Sequence, residues 1–84
     1  MVKLRFFARL REDLGTAGED LELPAGVATV AALRSHLAGR GGVWAEALAT
    51  GKALRVAVNH ELAEPATPIG PGDEVAFFPP VTGG

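Results

Sequence analysis

Two short alternating stretches, one near each end of the chain, constrain what this sequence can fold into more than any other feature. In VKLRFFA, residues 2–8, Val2, Leu4, Phe6 and Ala8 fall on one side of an extended chain, and Lys3, Arg5 and Phe7 on the other. EVAFFP, residues 74–79, repeats the pattern with Val75 and Phe77 on one side and Phe78 on the other. Successive strand residues point to opposite faces, so each stretch is a strand with one core face. Between them lies one segment of clear helical period, VAALRSHLA, in which Val30, Leu33 and Leu37 form an apolar stripe. Thr29 precedes it as an N-cap and Gly39 ends it. A chain of 84 residues holds one core. The economical solution is therefore a mixed sheet laid against one main helix, an α+β arrangement. The intervening helix lets the first and last strands run parallel.

The remaining segments supply shorter elements. ARLREDLG reads as a polar turn of helix stopped by Gly15, and EDLELP as a strand through Leu21 and Leu23 closed by Pro24 and Gly26. VWAEALAT, with Trp44 and Leu48 four apart, predicts a second short helix after the loop GRGG. LRVAV is a strand with Leu54, Val56 and Val58 inward, followed by a turn at Asn59-His60. ELAEPATPIGPGD is mostly turn chemistry around a small strand, and Pro71-Gly72 suits a type II turn. The expectation is four to five strands on one main helix, with residues 1–80 as the domain and 81–84 as a flexible Gly-Gly tail.

Several functions are disfavoured. The chain has no cysteine, hence no disulfide scaffold, thiolate nucleophile or thiolate metal ligand. A net charge of -2 argues against nucleic-acid binding, which depends on neutralising phosphates. The opening MVKLRFFARL lacks the apolar core of a signal peptide, and no apolar run approaches the roughly 20 residues of a membrane span. A soluble, cytoplasmic protein is expected. HELAE has Glu64 where a zinc-protease helix needs its second histidine, so His60 is read as a turn residue. His36 lies at the edge of the helical stripe and is read as a boundary residue, and Trp44 as a core anchor. GRGG follows a helix, whereas a phosphate loop precedes one. Asp73 and Glu74 are strand neighbours that point apart. No arrangement of side chains here supports an independent enzyme or a bound metal.

Two features remain. Phe7 and Phe78 each follow a core phenylalanine, so the pleat sends them to the outer face with Lys3, Arg5 and Arg55. Two aromatics on a solvent face mark a partner site, unless a loop or small helix covers them. The second feature is the ending FFPPVTGG. Pro79-Pro80 stiffens the exit from the last strand, and glycines present no side chain to a narrow channel. By composition alone, a threading tail and a frayed end are equally compatible with it.

DEVAFFPPVTGG, with VKLRFFARLRE, TVAALRSHLA and VAVN, resembles the family of small sulfur-carrier subunits of molybdopterin synthase. The resemblance spans essentially the whole chain and is most specific at its C-terminus. It implies a β-grasp, ubiquitin-like fold. It also implies that an E1-like adenylyltransferase uses ATP to adenylate Gly84, and that a sulfur donor protein converts the adenylate to a thiocarboxylate. The tail, with Gly83 as its slim neck, would then deliver sulfur to cyclic pyranopterin monophosphate inside the synthase large subunit, within a heterotetramer. Phe7, Leu62 and Phe78 fall where the family places its apolar contact with that subunit. No tightly bound cofactor is implied. A related carrier for thiamine synthesis or tRNA thiolation, a lysine-conjugating modifier, and a β-grasp interaction module that never uses its terminus remain as alternatives. Arg5 departs from the aliphatic residue common in relatives, and NHELAEPATP matches the family least.

Overall fold

The alternation near the two chain ends becomes a pair of parallel strands at the centre of the sheet. The computed structural model describes residues 1–80; residues 81–84, and with them the expected flexible tail and both Gly83 and Gly84, lie outside the described residues. The elements run β1 (Val2–Phe6), α1 (Ala8–Leu14), β2 (Gly18–Leu21), α2 (Val30–Ala38), α3 (Gly42–Ala47), β3 (Arg55–Val58), β4 (Glu61–Ala63) and β5 (Glu74–Phe78). The five strands order as β2-β1-β5-β3-β4. β1 and β5 are parallel, with Phe6 beside Phe77, and the other pairings are antiparallel. This is the β-grasp, ubiquitin-like arrangement of a mixed sheet against helices.

One face of every strand feeds the core. Val2, Leu4, Phe6, Val56, Val75 and Phe77 are buried from the sheet, and Val30, Leu33 and Leu37 meet them from α2. The helix starts where Thr29 predicts, its hydroxyl accepting from the Ala32 N–H at 3.2 Å. The Phe6 ring stacks on Phe77 with centroids 6.0 Å apart and meets Trp44 edge-on at 5.6 Å. Among the described residues, no helix is long and apolar enough to cross a membrane.

Both predicted turns form. Asn59 and His60 have φ of 50° and 71°, the left-handed pair that suits a two-residue hairpin between β3 and β4. Gly72 has φ of 92°, and the Asp73 N–H donates back to the Gly70 carbonyl at 3.1 Å. Two core contributions differ from expectation. α1 is more than a polar turn, because Leu10 and Leu14, four apart, are both buried. Ile69 is buried too, held by its N–H to the Ala28 carbonyl at 2.9 Å, although turn residues surround it in sequence. At the other edge, β2 lies so close to β1 that a Cβ on Gly18 would stand 2.2 Å from the Leu4 carbonyl oxygen.

Two carboxylates tie the periphery to this frame. Glu19 accepts two hydrogen bonds from the Arg40 guanidinium, at 2.8 and 2.7 Å. Arg40 in turn lies 4.4 Å over the Trp44 ring. The Arg40 hydrogen bonds hold the Glu19 carboxyl below its usual range, against a smaller opposing effect of burial. The Asn59 amide, then the Gly70 N–H, do the same for Asp73. Carboxyls lowered in the folded state stabilise it fully above their unfolded range and lose that contribution as pH falls through it. Thermal midpoints are therefore expected to drop on acidification through and below the ordinary carboxylate range. Glu19→Gln should have a lower midpoint at neutral pH and a shallower acid decline, modest in both because the pair is partly solvated. A pH series of thermal melts on both proteins checks this, and parallel declines would contradict it.

Candidate functional site

The outer face of the sheet follows from the same pleat that builds the core. Its rows can be read from the strand register. One runs Gly18, Arg5, Ala76, Ala57, Leu62 across all five strands. The next, one pleat further along, places Phe78 beside Arg55, with Phe7 continuing the β1–β5 register on the other side. The row on the opposite flank holds Asp20, Lys3 and Glu74. The face is thus an apolar floor with small alanines at its centre and larger side chains at its corners.

Phe7 owes its place to a backbone reversal one residue later. Its own backbone is still extended, and its N–H donates to the Phe77 carbonyl at 3.2 Å. Ala8 then takes a left-handed φ of 53° and turns the chain into α1. The Phe7 ring stays 43% exposed, so neither α1 nor a loop covers it. Its neighbour is a cation: the Arg5 guanidinium lies 6.0 Å from the ring centroid. Phe78 closes β5 and is half-buried, and the β1–β5 register, continued one residue past Phe6–Phe77, sets its backbone beside that of Phe7.

Leu62 belongs to the same face at longer range. It is 68% exposed and is separated from Phe78 by two strand spacings and one pleat, about 12 Å. The structure therefore brings Phe7 and Phe78 together and sets Leu62 at the far corner of the floor. Pro79 and Pro80 follow β5 directly and are half-buried, so the chain leaves the sheet from this corner. Gly83 and Gly84 are beyond the described residues.

The other candidates take structural places. His60 is the second turn residue, 3.6 Å from a Glu74 carboxylate oxygen, and Glu61 begins β4. No group of three or more metal-ligating side chains occurs among the described residues. His36 is exposed on α2, and Trp44 packs on Phe6. A groove of about 330 Å³ between α2 and the β3–β4 edge shares Leu62 with the outer face. Its Arg34 is engaged by the backbone carbonyls of Leu48, Ala49 and Lys52. Sequence reasoning placed Arg5 and Arg55 on the outer face without assigning them a role. That neither forms an ion pair among the described residues needed the structure, because 50 positions separate them in the chain.

Comparison with known proteins adds an independent line. The model of the ThiS family matches residues 4–84. The chain is 51% identical over 84 residues to the molybdopterin synthase sulfur carrier subunit of Escherichia coli (strain K12), covering 100% of both chains. Among solved structures it is similar to small archaeal modifier protein 1 of Haloferax volcanii, with a TM-score of 0.73 and 28% identity over 95% of this chain and 97% of that one. It is also similar to a chain in the complex of subunits 1 and 2 of the molybdopterin-converting factor from Helicobacter pylori. That match has a TM-score of 0.67 and 25% identity over 99% of this chain and 97% of the other.

Proposed function

This chain belongs to the ThiS family, and on that premise we propose that it is a sulfur carrier for molybdopterin synthesis whose Gly84 carboxyl is the reactive group. The observation that carries this reading is the match over 100% of a molybdopterin synthase sulfur carrier subunit at 51% identity. A carboxylate is a poor electrophile, because it has no good leaving group. Adenylation by ATP on an E1-like activating enzyme forms the mixed anhydride at Gly84 and releases pyrophosphate. Sulfur delivered by a donor protein at the oxidation level of sulfide then attacks that carbonyl carbon, AMP leaves, and the terminus becomes a thiocarboxylate. The sulfur passes to cyclic pyranopterin monophosphate in the large subunit of the synthase, and two such transfers complete a dithiolene.

In this scheme the domain needs no catalytic side chain of its own. It is a covalent substrate of one enzyme and the donor for the next. What it must supply is a rigid grip and an extended exit. Phe7, Phe78 and Leu62 form the grip on the large subunit in this reading, and Pro79-Pro80 stiffens the exit toward Gly83 and Gly84. A complex of the H. pylori subunits 1 and 2 supports an assembly of this kind. Gly83 serves as the neck, because a residue without a side chain fits a channel that others would block.

The test is intact mass spectrometry after incubation with the activating enzyme, ATP and a sulfur source. The protein is expected to gain the mass of one oxygen-to-sulfur exchange, localised to the C-terminal peptide. An unchanged mass, with the activating enzyme shown active on another carrier, would remove the reading. The likeness to a small archaeal modifier favours one second reading, conjugation of Gly84 to lysines. Isopeptide-linked adducts in the native cell would support it, and their absence alongside a thiocarboxylate would support the carrier.

A further inference from the structure

We propose that the outer sheet face docks on a protein surface whose apolar socket is bordered by carboxylates, with Arg5 and Arg55 as the matching cations. The inference rests on the sulfur-carrier reading for which protein bears that surface, the synthase large subunit, and adds what its rim must be made of.

The charge pattern around the face carries the argument. The chain is acidic overall, at -2, so the sign of this face is set by where its cations stand and not by net charge. Of its eight lysines and arginines, four have a local match among the described residues. Arg9 pairs with Asp13 at 3.1 Å, Arg40 with Glu19 at 2.7 Å, and Arg34 with backbone carbonyls. Lys3 lies in register between Asp20 and Glu74, so its row is balanced. Arg11 on α1 and Lys52 in the loop before β3 have no carboxylate within 4.0 Å either, but they lie off the sheet, whereas Arg5 and Arg55 stand on its outer face. Within the strands their in-register neighbours are Gly18, Ala76 and Phe78; Glu64, which continues the β3–β4 register opposite Arg55, forms no ion pair with it, and neither arginine has a carboxylate within 4.0 Å among the described residues. Each stands beside one of the two outer aromatics: Arg5 by Phe7, Arg55 by Phe78.

Docking this floor onto a purely apolar partner would strip water from two guanidinium groups and return nothing to them. Carboxylates around the socket remove that penalty and fix the register of the two surfaces. Arginine suits the task, because its weakly hydrated planar fork accepts partial burial and binds a carboxylate bidentately. A phosphate backbone is the poorer match. Two cations flanking an apolar floor on an acidic protein are not the continuous basic stripe that polyanion binding uses.

Association rates of the full chain with the large subunit from the same source test this, measured between about 0.05 and 0.5 M salt, a range over which the screening length falls through about 10 Å. The wild type is expected to associate roughly tenfold or more slowly at the high end. The Arg5→Gln/Arg55→Gln protein should associate at the slow rate throughout, with its salt response flattened. The Arg5→Glu/Arg55→Glu protein should go further and associate faster at high salt than at low. Far-UV spectra confirm that both remain folded, and the glutamine pair suffices if the reversal does not. A salt-independent wild-type rate, or unchanged kinetics in the glutamine pair, overturns the inference while leaving the carrier reading intact. Arginine-dependent binding to duplex DNA alongside salt-independent binding to the large subunit also overturns it, assigning the cations to a polyanion. No association of the wild type with the large subunit at any salt overturns the partner assignment and the inference with it.

Discussion

Phe77→Asp and Phe78→Asp, changes one residue apart, are expected to fail in opposite ways. Phe77 is fully buried and stacked on Phe6 in the middle of the sheet. Losing such a ring costs about 3–5 kcal/mol, and an unpaired carboxylate in its place adds several more. That sum is comparable to the total stability of a small domain, roughly 5–15 kcal/mol, so the Phe77→Asp chain should not fold. Phe78 is on the outer face, in register with Arg55, which is positioned to accept an aspartate as an ion pair. Phe78→Asp should therefore keep its far-UV spectrum with a small shift in midpoint. Its binding to the synthase large subunit should weaken by about a hundredfold or more, as for a central aromatic anchor worth some 3 kcal/mol. Circular dichroism and a binding titration on the two proteins read both outcomes. A folded Phe77→Asp chain beside an unfolded Phe78→Asp chain would show the face assignment to be backwards.

The two faces of β1 and β5 are legible in the sequence because a period of two is strict. A one-residue slip in VKLRFF would have buried Arg5 and exposed Phe6, and one in EVAFF would have buried Glu74 and exposed Phe77, conflicts no packing could absorb. The α2 stripe was legible for a similar reason, since Thr29 and Gly39 bracket three leucine and valine positions that only a helix aligns. Ile69 was not legible. It sits alone between Pro68 and Gly70, and a single apolar residue has no period, so its burial depends on where the turns on either side deliver it. Leu10 and Leu14 were obscured by the four charges around them, Arg9, Arg11, Glu12 and Asp13, which line the exposed side of α1.

The candidate site divides in the same way. Phe7 and Phe78 could be placed together because each position is local to a strand and the strands pair in parallel. Leu62 came only through resemblance, since a lone leucine in ELA carries no sign of its partner, and β4 is three residues long. That neither Arg5 nor Arg55 has a carboxylate within 4.0 Å among the described residues is a property of strands in register, which no window along the chain can contain. Gly84 is the extreme case. A glycine has no side chain from which packing or polarity could declare a role, so the role proposed for it rests on family likeness alone.

Moving the terminal carboxyl by one residue in either direction is expected to abolish sulfur loading while leaving the domain folded. Deleting Gly84, or adding a residue after it, displaces the reacting carbon by up to about 3.5 Å along an extended chain. A misplacement of about 1 Å can already cost a hundredfold in rate, so activation should fall by more than that in both proteins. The fold should not notice, because among the described residues the buried core runs from Val2 to Phe77. Binding to the large subunit should persist in the deletion variant, since Phe7, Leu62 and Phe78 are unchanged. Gly83→Val should act differently, slowing activation and transfer together through its β-branched bulk in a narrow channel rather than through the position of the carboxyl. Intact mass spectrometry after incubation with the activating enzyme, ATP and a sulfur source separates these outcomes, with thermal melts as the control for folding. Thiocarboxylate formation by an extended chain that has not first been trimmed would defeat the assignment of Gly84. Full molybdopterin synthesis by the shortened chain would reduce the domain to an interaction module whose terminus takes no part.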